Sequence, residues 1–339
     1  MKKIVLILII FLPLNVYALE QPELNSNKFI IYDLTTKEVL AESRAYEKTS
    51  IASLTKIMTT ITAIEKINNL EDSIIITSGM INSVYWNASR AGLKVGDKVT
   101  YKDLLYASIL PSGADATHAL AYSLSGNLNS YINEMNNLTN KLELKNTKFG
   151  SVSGLDNINN YSTLYDVAKI LEYALENETF KEVYTTKEYN LTNGLKVGAT
   201  IIGFNKRMNL DINRIVGSKT GYTNNAGYCL SSLIKSNNHD VIIITGGAKK
   251  EGNNYYHIID TLNLIDYTDR LIAEKEEQLR LEQESITRME AQEKLRQEEL
   301  IRIEKNQIYV NKTLIVGSVF IFCLLLILIC NKKKRKKRK

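Results

Sequence analysis

Residues 313–330 are an uncharged apolar run of 18, followed at once by Asn331 and eight consecutive Lys or Arg. That length is close to the ~20 residues a helix needs to cross a bilayer. A basic tail directly after such a run places the tail, residues 331–339, on the cytoplasmic side. The other end of the chain points the same way. Lys2 and Lys3 precede the apolar run Ile4 to Leu14, and Val16-Tyr17-Ala18 offers a small-residue cleavage site. This is the layout of a secretory signal, so residues 1–18 are expected to be removed. Whatever lies between must then fold outside the membrane as an exported unit.

The net charge of +6 is misleading about that unit. Setting aside the eight tail residues, Lys2 and Lys3 leaves 33 Lys and Arg against 37 Asp and Glu, about −4. No basic face remains to meet phosphates, so nucleic acid is not an expected partner. The tail itself suits anionic lipids of the inner leaflet. Of the three cysteines, Cys323 and Cys330 fall in the apolar run, and Cys229 alone cannot form a disulfide inside the exported part.

Ser53-Leu54-Thr55-Lys56 opens a run in which Ile57, Met58, Ile61, Ala63 and Ile64 recur at near-helical spacing. Ser53 is therefore placed near a helix N-terminus, with Lys56 on the same face at i+3. A serine hydroxyl is a poor nucleophile unless a base takes its proton, and a lysine serves only if burial or a second cation lowers its pKa. Lys219, in Lys219-Thr220-Gly221, is the candidate second cation. Either motif alone is common as a solvated cap or a surface lysine. Their order, with Ser112-Gly113 between them, is specific: S-x-x-K, an S-x-N-like element and K-T-G mark penicillin-binding proteins and class A β-lactamases.

On these residues the chain resembles the D-alanyl-D-alanine carboxypeptidases, the low-molecular-weight penicillin-binding proteins. The resemblance runs from about Lys28 to Tyr267. It includes Leu93-Lys94-Val95-Gly96-Asp97, the stretch from Leu110 to Ala116, Tyr161-Ser162-Thr163 and the stretch from Lys219 to Cys229. It implies that Ser53 attacks the penultimate D-alanine of a peptidoglycan stem peptide, forming an acyl-enzyme that β-lactam antibiotics would also form. Lys56 would be the general base, and Ser112 would relay a proton to the leaving amine. Lys219, Thr220, Gly221 and Tyr222 would bind substrate, which lies along the strand edge. The backbone N–H groups of Ser53 and Tyr222 would form the oxyanion hole, and no cofactor or metal is implied.

Two positions depart from the family pattern. Ala114 stands where an asparagine is usual, so the amide that bridges a lysine and the substrate carbonyl is missing. The arginine that grips the terminal carboxylate has no counterpart at its place, where Lys249 and Lys250 follow Gly246-Gly247-Ala248. A lysine is a point charge rather than a bidentate fork. Two alternative readings stay open: a β-lactamase-type hydrolase, with Glu172 in the segment resembling the class A glutamate motif, or a catalytically weak peptidoglycan-binding protein. His118, His239 and His257 are scattered with no metal-ligand spacing. No G-x-S-x-G elbow surrounds Ser53.

The expected layout is a signal peptide at 1–18, a catalytic domain at 19–267, a charged helical spacer at 268–312, the span at 313–330 and the tail at 331–339. The spacer is dense in Glu, Arg, Lys and Gln. Its apolar seven-residue spacing at Ile272, Leu279, Ile286 and Leu300 is broken by Glu293, so a salt-bridge-laced helix is expected rather than a coiled coil. At 1.5 Å per residue, the stretch from Asp269 to Lys305 could span roughly 55 Å. For the catalytic domain the strand patterns predict an α+β fold. It would have an antiparallel five-stranded sheet flanked by helices, with a helical region inserted between the second and third strands.

Overall fold

A computed structural model describes residues 19–336. The predicted signal segment and the last three tail residues lie outside the described residues. Five strands form one antiparallel sheet: β1 (Lys28–Asp33), β2 (Glu38–Ser43), β3 (Ile215–Thr223), β4 (Gly227–Ser236) and β5 (His239–Ala248), in the spatial order β2-β1-β5-β4-β3. The first and last halves of the domain are thus joined by β1 pairing with β5, Ile30 opposite Ile244 and Tyr32 opposite Ile242. Side chains alternate across a strand. Phe29 and Ile31 accordingly join one core layer and Ile30 and Tyr32 the other. In β5 the run Val241-Ile242-Ile243-Ile244 is buried on both faces, which is why it shows no polar alternation.

Between β2 and β3 lies the inserted region. Its helices of eight residues or more are α1 (Thr55–Lys66), α2 (Tyr101–Ile109), α3 (Ala114–Ser125), α4 (Leu128–Lys141), α5 (Leu164–Leu175), α6 (Glu178–Thr185) and α7 (Thr200–Met208). The chemistry of the ends sets several of them. Thr100 and Asp103 form a reciprocal capping box at the start of α2, and Gly126 with φ +77 closes α3. α1 is the buried axis of this region. Its threonines are enclosed with its apolar residues, and the Thr59 hydroxyl donates to the Val152 carbonyl at 2.8 Å.

The last helix, α8 (Tyr256–Lys336), begins by covering the other face of the sheet with Ile258, Leu264, Ile265 and Ile272. The sequence resemblance ends near Tyr267, but the compact unit runs to Ala273 because Ile272 is still buried. Residues from Glu274 onward form a second unit, a helix laced by exposed pairs such as Arg280 with Glu277 and with Glu284. Within it the apolar residues of 313–330 are all exposed. Among the described residues this is the one helix long and apolar enough to cross a membrane.

Candidate active site

Ser53 lies in a single 3-10 turn, Ala52–Leu54, that runs directly into α1. The turn is strained, since Ala52 takes φ +48 in the left-handed region. Two glycines hold it from outside. A Cβ on Gly154 (φ +86) would stand 1.9 Å from the Ala52 carbonyl oxygen, and one on Gly221 would stand 3.0 Å from the Ser53 nitrogen. Gly154 belongs to the helical region and Gly221 to β3, the sheet's edge strand. The nucleophile turn is therefore clamped between the two halves of the domain.

Lys56 is 2% exposed, and its Nζ lies 2.8 Å from Ser53 Oγ while donating to the Ser153 carbonyl at 2.6 Å. Burial pulls its pKa down to about 7, with the buried Asp115 carboxylate opposing. An amine of that pKa is unprotonated in a large share of molecules near neutral pH, as a general base must be. Asp115 in turn accepts from the N–H groups of Ala91, Gly92 and Leu93 at 2.8, 2.9 and 3.0 Å, which compensate its burial.

Lys219 is equally buried and donates to the Thr220 carbonyl at 2.7 Å. Burial first, and then the charge on Lys56, hold its pKa well below the usual lysine value. Burial, one of the two causes the sequence allows for lowering the pKa of a lysine base, therefore acts on both amines. Next along β3, the Thr220 hydroxyl is hydrogen-bonded to that of Thr200 at the start of α7, and the Tyr222 ring is half exposed.

Ser112 is buried with φ +63, and its hydroxyl has no hydrogen-bond partner among the described residues. The turn around it is fixed by its neighbours, Gly113 N–H donating to Ala107 at 3.0 Å and Ala114 N–H to Ser89 at 2.8 Å. Ala114 itself is fully buried. The two lysines expected near the carboxylate end are exposed, and Lys250 stands 5.0 Å over the Tyr255 ring. There the structure adds a cation that sequence reasoning missed: Arg207 of α7, whose Nη1 donates to the Tyr255 hydroxyl at 2.7 Å. Its only sequence signal is its place seven residues after Thr200, on the same helix face. Glu172, in the segment resembling a deacylating glutamate, is instead held by Lys37 at 2.5 Å, by Lys169 and by the Tyr32 hydroxyl.

From Ser153 and Tyr222 a groove of about 750 Å³ leads away, walled by Leu128, Ile132 and His118. The His118 Nδ1 lies 2.8 Å from Ser83 Oγ. Burial and then the Lys56 charge push its pKa to about 4, so it is neutral at pH 7.

The sequence profile of the family described as D-alanyl-D-alanine carboxypeptidase matches residues 15–250. The D-alanyl-D-alanine carboxypeptidase DacD of Escherichia coli K12 is 31% identical over 222 residues, 63% of this chain and 56% of that protein. The D-alanyl-D-alanine carboxypeptidase of Streptomyces sp. K15 is 36% identical over 207 residues, 58% of this chain and 71% of that protein. The crystal structure of the Streptomyces K15 DD-transpeptidase superposes with a TM-score of 0.65 at 30% identity, covering 73% of this chain and 98% of that one. The chain thus spans only 56% of the length of its Escherichia coli relative.

Proposed function

The chain belongs to the D-alanyl-D-alanine carboxypeptidase family, and from that premise we propose that it is a membrane-anchored, serine-type enzyme removing the terminal D-alanine from peptidoglycan stem peptides. The observation that carries the proposal is the 2.8 Å approach of Lys56 Nζ to Ser53 Oγ, made by an amine whose pKa burial lowers to about 7. Unprotonated Lys56 takes the Ser53 proton as Oγ bonds to the carbonyl carbon of the penultimate D-alanine. The N–H groups of Ser53 and Tyr222 receive the developing oxyanion, where one such donor typically contributes roughly 10²–10³ in rate. The C–N bond then breaks, and Ser112 passes a proton to the departing D-alanine amine. Water attacks the acyl-enzyme by the same path in reverse roles.

Lys219, Thr220, Gly221 and Tyr222 present the edge of β3 to the substrate backbone, which adds as a further antiparallel strand. With Ala114 in the asparagine's place, carbonyl orientation rests on the backbone. Penicillin, whose lactam amide mimics D-alanyl-D-alanine, would acylate Ser53. The span at 313–330 anchors the enzyme with its catalytic domain outside the cytoplasm, and the basic tail meets anionic lipids.

The test uses the full chain in detergent with a stem pentapeptide. Mass analysis should find loss of one D-alanine, and none with Ser53→Ala. Penicillin should add its mass to the wild type and not to that variant. A Ser53→Ala chain that still gains the drug's mass would overturn the nucleophile assignment.

A further inference from the structure

Among the described residues, His118 is the one member of α3 that lines the groove beyond Ser53. Its neighbours Ala116, Thr117, Ala119 and Leu120 are fully buried packing residues, so helix packing alone does not call for an imidazole there. The ring is itself buried, and a buried polar group is costly unless its nitrogens find partners. Where those partners lie decides what the ring can do.

The Ser83 hydroxyl donates to the Met80 carbonyl at 2.9 Å and lies 2.8 Å from His118 Nδ1. A hydroxyl has one hydrogen to give. With it committed to Met80, the network assigns the ring hydrogen to Nδ1, which donates to Ser83, and leaves Nε2 as an acceptor. Nε2 has no protein partner among the described residues. Asp115, one turn back on α3, ties the ring to the base: its carboxylate acts on both Lys56 and His118, and the Lys56 charge acts on the ring directly. Ser153, whose carbonyl holds Lys56, lines the same groove. The imidazole is neutral at pH 7 for the reason given above, so it offers an acceptor near Lys56 without a second charge.

On the carboxypeptidase reading, the second half of the reaction needs a water held against the acyl carbon. A water has two hydrogens, and the base takes only one. We propose that His118 Nε2 accepts the other from the groove side, with Ser83 fixing the ring, so that hydrolysis of the acyl-enzyme depends on this pair while its formation does not. As the water oxygen bonds to the acyl carbon, the first proton travels to Lys56 by the path already described. The second stays on that oxygen, donated to Nε2. The bond from the carbon to Ser53 Oγ then breaks, Oγ takes the proton back from Lys56, and the peptide leaves with a free carboxyl group. His118 exchanges no proton and acts through the water, as a positioning residue.

The proposal rests on the carboxypeptidase reading, and the experiment separates the two. The full chain in detergent is labelled with penicillin. Intact mass follows the rate at which the adduct forms and, once excess drug is removed, the rate at which it decays, for wild type, His118→Leu, His118→Gln and Ser83→Ala. Misplacing a reacting group by about 1 Å can cost roughly 10²-fold in rate, so in His118→Leu the ratio of decay to formation should fall about 10- to 100-fold. His118→Gln, which restores an acceptor oxygen, should recover most of that loss. Ser83→Ala keeps the imidazole but frees it, and losing one neutral hydrogen bond should lower the ratio about two- to tenfold. Both rates are read only on molecules that take the drug, so a misfolded fraction leaves the ratio unchanged. A His118→Leu ratio equal to wild type, a fall that His118→Gln does not relieve, or a wild-type adduct that does not decay would overturn the proposal while leaving Ser53 as nucleophile. No adduct on the wild type would sink the carboxypeptidase reading and the proposal with it.

Discussion

Replacing Ser112 by glycine should stabilise the protein while abolishing its activity. Ser112 combines two destabilising features, a left-handed backbone at φ +63 and a buried hydroxyl without a hydrogen-bond partner among the described residues. A non-glycine residue held in that backbone region costs about 1–2 kcal/mol, and a buried unsatisfied polar group costs about 1–3 kcal/mol. Against this, glycine gives the unfolded chain extra freedom worth about 0.4–1 kcal/mol, and the lost methylene forfeits about 0.8 kcal/mol of burial. The balance favours Ser112→Gly by about 1–2 kcal/mol. For a domain of this size that is a rise of roughly 3–6 °C in melting temperature. Ser112→Ala keeps the backbone strain and loses only the orphaned hydroxyl, so it should rise less. Both should lose D-alanine release, since neither can pass a proton to the leaving amine. Near-UV circular dichroism melting of the full chain in detergent, with peptide turnover on the same samples, reads both. If Ser112→Gly melts below wild type, or if Ser112→Ala turns over peptide as wild type does, the reasoning fails.

Acylation by penicillin should rise with pH through about 7, because Lys56 must be unprotonated to accept the Ser53 proton and burial sets its pKa there. Lys56→Arg should show no acylation at any pH, since arginine does not give up its proton; rates of drug labelling across pH check both. Gly154→Ala should destabilise by about 2–4 kcal/mol and slow labelling, because its Cβ would meet the Ala52 carbonyl at 1.9 Å where φ is already +86; denaturant titration decides it. His257 is buried with both ring nitrogens unpartnered among the described residues, and burial pushes its pKa down to about 3. Between that value and 6.5 the unfolded chain takes up a proton that the folded chain refuses, so stability falls as pH falls, by up to about 1.4 kcal/mol per unit from this group. His257→Phe, at home against Tyr228 and Phe204, should raise the melting temperature and flatten that slope.

What the sequence disclosed and what it withheld divide along a physical line. The apolar spacing of Tyr101 to Ile109 and of Leu164 to Leu175 reads as helix, and α2 and α5 occupy those residues; Phe29 to Asp33, Glu38 to Glu42, Gly227 to Leu233 and Val241 to Thr245 read as strands, and β1, β2, β4 and β5 extend them by one to five residues, because period-two and period-3.6 burial is written locally in apolar spacing. Lys56 beside Ser53 was legible for the same reason, as a contact within one helical turn. The Ser153 carbonyl that holds Lys56 is 97 residues away in sequence. No periodicity predicts such a contact; the trace it leaves is Gly154, required where a Cβ would strike the nucleophile turn. The same holds for the amines. Chemistry alone says that a lysine base needs a lowered pKa, but whether burial or a neighbouring charge lowers it depends on how deeply each is enclosed. α1, buried on all sides from Thr55 to Ala63, encloses Lys56 more completely than an amphipathic helix would. Its Thr55, Thr59, Thr60 and Thr62 look solvent-facing in sequence, yet they are buried. Thr59 and Thr60 bond Val152 and Ser108 inside the helical region. The polar residues most easily assigned to a surface are the ones that let this helix sit in the middle of the domain, and that position makes Lys56 a base.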